Sequence, residues 1–202
     1  MGAFGMHLET DRLLIRDFEI KDADALFKLK YDKRILEFLP GLIKRDAGID
    51  DIKEAIQYFV SVKDTGNYEH EVLYAVVRKE CNTIIGALSI SDHPFLYETQ
   101  VGWMIRQEFC QRGYASEAAN AFTDHLFSTH HYDYVIAIMD VDNPASYHTA
   151  LKSGFKLFEK RTVYDYKYGR YGDDYYYFRK FNPKSATKYR FYGDLEYDGR
   201  HS

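Results

Sequence analysis

The order of hydrophobic and polar positions predicts a chain that mixes strands with helices. Loose alternation over Leu8–Arg16 predicts a first strand. Apolar residues three and four positions apart then predict two helices, one that opens at Asp22 and one over Ile49–Val60. Three strand-like runs follow, separated by short turn clusters, so we expect antiparallel pairing among Val72–Arg78, Thr83–Ser91 and Thr99–Arg106.

The second half of the chain continues the mixture. One helical face is formed by Ala115, Ala118, Ala119, Phe122 and Leu126. The continuous apolar run Val135–Met139 is typical of a strand that is buried on both faces. Asn143 followed by proline predicts a helix start, and Gly154 predicts its end. The tyrosine-rich segment Phe155–Phe181 predicts a β-hairpin.

The chain shows no internal repeat, linker or low-complexity segment. We therefore expect one mixed α/β domain over residues 1–181. Residues 182–202 are polar and predict a C-terminal tail, either loosely held or packed on the domain.

Composition and charge exclude several classes of protein. A formal net charge of −4 argues against a nucleic-acid-binding protein, which needs a basic excess to meet phosphates. No apolar run is long enough to span a bilayer, so we expect no membrane partner. The two cysteines and eight histidines show no metal-ligand spacing, so we expect no metal and a reducing, cytoplasmic compartment. The mildly acidic surface weakly favours cationic partners such as amines.

The segment Gln100–Ala115 is the first candidate for chemistry. A strand ends, a loop turns, and a helix begins at Arg112-Gly113, so free amides and the positive end of the helix dipole meet there. Gly113 permits close approach to the backbone, Arg112 adds a positive charge, and a pyrophosphate fits such a site. An ordinary strand-to-helix turn produces the same pattern, because one glycine is a weak signal.

A second candidate follows the buried strand. Asn143 and Ser146 are three positions apart, so both can face the same side at the start of their helix. Capping of that helix is the alternative role for Asn143.

Several motifs together resemble a known family. Gln-Arg-Gly-Tyr-Ala-Ser-Glu-Ala at 111–118 precedes Asp-Val-Asp-Asn-Pro-Ala-Ser, which begins at Asp140 and leads to Leu-Lys-x-Gly-Phe. This combination resembles the GCN5-related N-acetyltransferases, and most closely their ribosomal-protein-alanine branch. The opening at Leu8–Ala23 and the segment Thr83–Gly86 are similar to that branch too. The resemblance covers roughly Leu8–Lys180.

The resemblance implies a fold and a cosubstrate. The family has a mixed, mostly antiparallel sheet of about seven strands, flanked by about four helices, in which two parallel strands splay apart. Here those strands would be Gln100–Arg106 and Tyr134–Met139. Acetyl-coenzyme A would place its pantetheine arm in the gap, without a metal, with Asn143 and Ser146 near the thioester. The arm would bind the backbone of Trp103, Met104 and Ile105, and the pyrophosphate would bind the amides of Gln111, Arg112, Gly113, Tyr114, Ala115 and Ser116.

Two departures from the family's pattern affect these expectations. Cys110 and Gln111 stand where relatives usually have Gln or Arg followed by Gly, which at most weakens a site built from backbone amides. Many relatives carry a tyrosine that protonates the departing thiolate, but Ala150 occupies that position here. Ser146 is then the expected proton donor, as in the ribosomal-protein branch, with Tyr147 as a weaker candidate.

The base that receives the amine's proton is harder to assign. Relatives often have Glu at the position of Gln100, and an amide side chain cannot act as a base. Glu98 lies two residues earlier and thus on the same strand face, so it is our candidate, although a solvated strand end is the simpler role. An α-amine of pKa near ~8 loses its proton at pH 7 for about 1.4 kcal/mol, whereas a lysine near ~10.4 costs about 4.6 kcal/mol. A weak base therefore favours an α-amine or another amine of low pKa.

The sequence thus predicts an enzyme that moves an acetyl group from acetyl-coenzyme A to a primary amine. The acceptor would be a protein N-terminus or a small molecule, with a polyamine or an aminoglycoside among the options. A coenzyme A sensor without turnover is the alternative from another class. The acceptor pocket is expected near Phe38–Gly41 and the tyrosine hairpin, whose aromatic rings either hold a cationic amine or form core and dimer contacts. Both a monomer and a homodimer stay open.

Overall fold

The computed structural model describes residues 5–39, 42–44, 46–62, 68, 70–93, 98–130, 132–165 and 170–185. Its strands are β1 (His7–Glu9), β2 (Leu13–Asp17), β3 (Val72–Arg78), β4 (Thr83–Asp92), β5 (Thr99–Ile105), β6 (Tyr134–Asp140), β7 (Lys156–Asp165) and β8 (Arg170–Phe181). Its α-helices are α1 (Ala23–Lys30), α2 (Lys33–Phe38), α3 (Ile49–Val62), α4 (Tyr114–Thr129) and α5 (Pro144–Lys152). Short 3₁₀ turns lie at Ile20–Asp22 and Gln107–Phe109.

The described strands form one eight-stranded sheet in the order β1-β2-β3-β4-β5-β6-β8-β7. Neighbouring strands are antiparallel, with β5 and β6 as the parallel pair. The α/β class and the mostly antiparallel sheet with two parallel strands are therefore confirmed. The described part of the chain has eight strands and five α-helices where the resemblance implied about seven and about four.

The extra strand comes from the N-terminus. The segment predicted as one strand is instead a tight hairpin of β1 and β2, in which His7 pairs with Arg16. The amide of Thr10 donates to the carbonyl of Leu13 at 2.9 Å and closes the turn. The hairpin buries Leu13 completely against the core. Alternation alone cannot distinguish one strand from two that fold back on each other.

The extra helix is α2, which is too short to show a periodic pattern. Its start is fixed by Asp32, whose Oδ1 accepts from the amides of Arg34 at 3.0 Å and Ile35 at 3.4 Å. A carboxylate at this position satisfies amides that would otherwise lack an acceptor. Ile35 then faces the core.

The sheet has two differently covered faces. The Tyr74 ring of β3 lies 5.4 Å from that of Phe122 in α4, which defines the α4 face. Leu73 points to the opposite side, where it lines a cavity with Phe59 of α3, and this is the α3 face. Residues that pair across neighbouring strands lie on the same face of a sheet. Leu73 pairs with Ser89 and Ser89 pairs with Gly102, so all three lie on the α3 face.

The C-terminal strands continue these faces and confirm the predicted hairpin. Phe178 of β8 contacts the Tyr147 ring of α5 at 5.2 Å on the α4 face, and Tyr176 lies on the same side. Tyr177 and Arg179 alternate onto the α3 face. The tyrosine hairpin is thus part core and part cavity wall. Tyr166 and Tyr168 lie outside the described residues, as do the side chains of Tyr164 and Tyr171.

A buried cation fastens β8 to α4. The ammonium of Lys180, which is 9% exposed, reaches Asn120 at 2.9 Å, Thr123 at 2.6 Å and Asp124 at 3.1 Å. These three acceptors compensate for the loss of hydration, so the pairing holds the sheet against the helix.

The predicted tail begins in contact with the domain. The Asn182 side chain donates to the carbonyl of Tyr132 at 3.0 Å. Residues 186–202 of that tail, and Gly41 of the predicted acceptor pocket, lie outside the described residues. Among the helices of the described ranges, none has both the length and the apolar character needed to cross a bilayer.

We predict that Phe122→Ala destabilises the fold by about 3–5 kcal/mol, because it removes a fully buried ring from the contact between α4 and the sheet. Denaturant unfolding measures the change. Val60→Ala on the exposed side of α3 is the control, and it should change stability by less than about 0.5 kcal/mol. Equal effects of the two substitutions would contradict this account of the core.

Candidate functional site

The parallel strands diverge almost at once. A single register pair, Gln100↔Ile136, joins β5 to β6, whereas β5 pairs with β4 along its whole length. The two strands meet near their N-terminal ends and open toward their C-terminal ends. Neighbouring strands in a continuous sheet are held by a ladder, so the gap exposes backbone groups of both strands.

The backbone groups of β5 that open into this gap follow from the ladder. The amide of Arg106 donates to the carbonyl of Ile85 at 2.9 Å, so this is a hydrogen-bonded pair. Because such pairs alternate along an antiparallel ladder, Met104 is also bonded to β4. The peptide groups of Val101 and Trp103 therefore point toward β6. Of the three residues expected to hold a pantetheine arm, Met104 has its backbone engaged by β4.

The side chains of Trp103 and Phe155 contact each other on the α4 face of the gap. The Trp103 ring lies 5.7 Å from that of Phe155, and its indole N–H is buried without an acceptor among the described residues. At the open end, the Cys110 thiol lies 3.5 Å from the carbonyl of Ile105. Burial raises the pKa of Cys110, which keeps the thiol protonated. An unsatisfied buried donor is costly, so Trp103 marks a place for an acceptor from a ligand or water.

The start of α4 has the backbone features that were predicted for an anion site. Gln111 and Gly113 both have left-handed backbone, with φ of 61° and 79°. The first helical bond runs from the amide of Glu117 to the carbonyl of Gly113 at 3.0 Å. Within the described residues, no backbone acceptor and no side-chain cap meets the amides of residues 111–116. The predicted set Gln111, Arg112, Gly113, Tyr114, Ala115 and Ser116 therefore lies together with its donors available.

A brace from the N-terminal hairpin holds this loop. Arg12 donates to the carbonyl of Arg112 at 3.0 Å and to Glu117 at 2.6 Å, and its guanidinium lies 4.5 Å from the centre of the Tyr114 ring. The Thr10 hydroxyl also donates to Glu117, at 2.5 Å. Burial alone would raise the pKa of Glu117, but these donors outweigh it and the pKa is lowered. Glu117 thus stays ionised and paired.

The second predicted pair lies at the start of α5. The Oδ1 of Asn143 accepts from the amide of Ser146 at 3.1 Å, so Asn143 caps this helix. Ser146 is half-buried, and its hydroxyl has no hydrogen-bond partner among the described residues. Tyr147 packs against Tyr176 at 5.1 Å and is part of the core instead. The Ser146 hydroxyl is therefore available to interact with a ligand at the start of α5.

Glu98 lies on the α3 face beside the closed end of the gap. Its Oε1 accepts from the Tyr134 hydroxyl and from the Arg179 guanidinium, each at 2.7 Å. The carboxylate is thus held in a partly buried ion pair, and Arg179 also stacks on Phe158 at 3.8 Å. These residues line a cavity of about 340 Å³ together with Ile136, Glu159, Arg161, Tyr177 and Phe178.

That cavity carries balanced charge. Arg161 pairs with Glu159 at 2.6 Å, and Arg179 pairs with Glu98. His93 pairs across the strands with Glu98 through its amide, which donates to the Glu98 carbonyl at 2.9 Å. Burial lowers the pKa of His93, and Arg161 adds to this while Glu98 opposes it.

Sequence reasoning missed Arg12, Arg179 and His93, because each contacts a residue remote in the chain or across a turn. No cluster of His, Cys, Asp and Glu in the described ranges is arranged to hold a metal ion.

Comparisons with known proteins agree with this geometry. A family model described as an acetyltransferase (GNAT) domain matches residues 12–156. The chain is 28% identical over 174 residues to the uncharacterized N-acetyltransferase YnaD of Bacillus subtilis, over 85% of this chain and 95% of that protein. Among solved structures, the ribosomal L7/L12 alpha-N-protein acetyltransferase RimL matches with a TM-score of 0.68 at 19% identity, over 85% and 91% of the two chains. The microcin C7 self-immunity acetyltransferase MccE, in complex with acetyl-CoA and AMP, matches with a TM-score of 0.69 at 18% identity, over 85% and 93%.

We predict that Gly113→Ala weakens coenzyme A binding about tenfold. A side chain in the left-handed region costs about 1–2 kcal/mol, and relaxing that strain would reorient the amides that the loop presents. Isothermal titration measures the affinity. Gly48→Ala is the matched control, since its new methyl group meets nothing closer than 3.7 Å. Unchanged binding by the Gly113 variant would remove the anion site from this loop.

Proposed function

The chain belongs to the acetyltransferase (GNAT) family, and we propose that it transfers an acetyl group from acetyl-coenzyme A to a primary amine. The observation that carries the proposal is the set of amides at residues 111–116 that meet no acceptor among the described residues, beside the gap between β5 and β6. The amides suit a diphosphate, and the gap suits an extended thioester arm.

The residues that surround this site fit coenzyme A. The loop offers peptide donors, the left-handed Gly113 allows close approach, and Arg112 is exposed beside it. The backbone of Trp103, beyond the single pair with β6, can pair with the amides of a pantetheine arm as a further strand would. The unpaired indole N–H of Trp103 supplies one more donor along that path. The loop amides, the strand backbone and the indole N–H of Trp103 thus all offer hydrogen bonds beside the gap.

The proposed reaction needs two proton transfers. The neutral amine nitrogen forms a bond to the thioester carbon, the carbon–sulfur bond breaks, and the sulfur leaves with the electron pair. A base takes the proton that the nitrogen loses, and an acid protonates the departing thiolate. We assign the acid to Ser146, because its hydroxyl lies at the helix start that faces the open end of the gap.

The base is a separate question. Glu98 is the candidate drawn from the sequence, and it lies on the α3 face, where an acceptor can approach the gap from the side opposite α4. Its carboxylate is held in place by the ion pair with Arg179. The same contacts also fit a structural role, in which Glu98 orders the wall of the 340 Å³ cavity.

For the acceptor, we propose a protein N-terminal α-amine or a small-molecule amine. RimL, which matches this fold, acts on an α-amine of ribosomal L7/L12. An α-amine also loses its proton more easily than a lysine, by about 3 kcal/mol at neutral pH. We propose that the reaction takes place in the cytoplasm, where the free Cys81 and Cys110 stay reduced.

We predict acetyl-coenzyme A-dependent release of free thiol with at least one primary amine. The panel contains peptides with N-terminal alanine or serine, an N-terminally blocked lysine peptide, spermidine and an aminoglycoside. Thiol release is followed with a chromogenic disulfide, and mass spectrometry must show a gain of one acetyl group. Binding of acetyl-coenzyme A without release under every acceptor would contradict the proposal and support a sensor.

We predict that Ser146→Ala lowers kcat about 100-fold with little change in the affinity for coenzyme A, because it removes the acid and leaves the phosphate site intact. Glu98→Gln is compared in the same assay. Ser128→Ala near the end of α4 is the control for loss of a hydroxyl, and it should keep full activity. Unchanged rates for both Ser146→Ala and Glu98→Gln would remove these two assignments.

A further inference from the structure

A second cavity, of about 290 Å³, lies between α3 and the sheet. Among the residues that the structure describes, its walls are apolar or aromatic except for one carboxylate, Glu71, and one imidazole, His70. The Tyr58 ring lies 6.0 Å from that of His70. The remaining lining residues are Leu42, Ile43, Ala55, Phe59 and Leu73. Glu71 is exposed overall and lines this cavity, where neighbouring protein partly desolvates its carboxyl.

The register connects Glu71 to the reaction gap. Glu71 comes two residues before Leu73, so both lie on the α3 face, where Leu73 pairs with Ser89 and Ser89 pairs with Gly102 of β5. The hydroxyl of Ser89 reaches the Glu71 carboxyl. On its other side that hydroxyl lies 2.4 Å from where a Cβ on Gly102 would be. Glu71, Ser89 and Gly102 thus form a continuous row that ends at the strand beside the gap.

The distances suit a proton transfer. Two strand spacings separate β3 from β5, about 10 Å, and a glutamate side chain covers about half of that. Ser89 is buried beneath its neighbours, and the next residue of this row, Gly102, has no side chain to separate the Glu71 carboxyl from the backbone of β5. An amine nitrogen, or one water and an amine, fits between the carboxyl and the backbone of β5.

We propose that Glu71 is the group that receives the proton of the attacking amine, and that the 290 Å³ cavity holds an apolar substituent of that amine. This inference rests on the proposed acetyl transfer. It names the acceptor class as a monoamine with an apolar or aromatic group, such as the N-terminal residue of a peptide. The described walls offer one carboxylate, which suits one ammonium better than the several of a polyamine or an aminoglycoside.

The electrostatic setting agrees with a basic role. Burial raises the pKa of Glu71 from its usual value, and the hydrogen bond from Ser89 opposes this only in part. The titratable groups that line the same cavity are His70 and Tyr58, and the buried Lys30 of α1 donates to the carbonyl of Ile43 at 3.4 Å on another wall. A carboxylate whose pKa is raised binds a proton more strongly than an ordinary one does.

The test compares Glu71→Gln and Glu71→Asp with Glu54→Gln, an exposed glutamate of α3 that lies outside the cavity. The acceptors are leucinamide, phenethylamine and spermidine. Glu71→Gln should lower kcat with leucinamide at pH 7 by about 100-fold, Glu71→Asp should retain part of the activity, and Glu54→Gln should match the wild type.

The pH profile separates a base from a structural group. Wild-type kcat should rise with pH as the Glu71 carboxyl ionises, and the Glu71→Gln variant should lack this rise. The difference in kcat between the wild type and Glu71→Gln should become smaller at high pH, because the amine is neutral there without a base. Thermal unfolding at pH 8 should give a Tm at least equal to the wild type's, because the substitution removes a carboxylate whose charged form burial disfavours.

The outcomes also separate this inference from the proposed function. A wild type that releases no thiol with any acceptor would refute acetyl transfer, and the inference with it. Transfer by the wild type with an unchanged kcat and pH profile in Glu71→Gln would overturn the inference alone. A preference for spermidine over leucinamide would overturn the acceptor class, and a larger loss in Glu98→Gln than in Glu71→Gln would return the base to Glu98.

Discussion

The site depends on the separation of β5 from β6, which lack a continuous ladder of hydrogen bonds between them. β5 and β6 share a single register pair and then separate, so each strand has peptide groups that the rest of the sheet cannot satisfy. Such groups are costly when buried, and a protein keeps them only where water or a ligand completes them. The same separation brings the starts of α4 and α5 to one edge, because each helix follows directly from one of the diverging strands or the turn after it. The gap, the phosphate loop and the hydroxyl of Ser146 are therefore consequences of one feature of the sheet.

The two faces of the sheet differ in the kinds of site that they carry. The proposed cosubstrate site lies on the α4 side and at the ends of the strands, where Arg12 and Glu117 fix the loop. The α3 side instead has two cavities, one with paired charges around Glu98 and one with apolar walls around Glu71. Gly102 lies between the two sides, on the strand that borders the gap. Its missing side chain leaves room for Ser89, and thus for the polar row that approaches the gap from β3.

The sequence predicted the order of the main elements because each long helix and strand has a clear period, as in α3, α4 and the buried strand β6. It missed the hairpin at Thr10 and the helix α2, since a tight turn and a short capped helix leave the hydrophobic pattern unchanged. The anion site at residues 111–116 is a prediction from local spacing together with the family resemblance, and it stays a prediction. The brace from Arg12 was not predicted, because it joins residues more than 100 positions apart. Glu71 was overlooked for a related reason: at the start of a strand, a glutamate has the same pattern whether it faces solvent or a cavity.

The brace from the first hairpin links the N-terminus to a distant part of the enzyme. β1 is a short edge strand that pairs with β2 alone, and the turn between them carries the two side chains that hold Glu117. β1 keeps this turn in place through its ladder with β2 and through Lys79, which donates to Glu9 and to the carbonyl of Thr10 at 2.9 Å each. Removal of β1 is therefore expected to loosen the loop at residues 111–116, and with it the proposed hold on a diphosphate, although every residue of that loop stays unchanged.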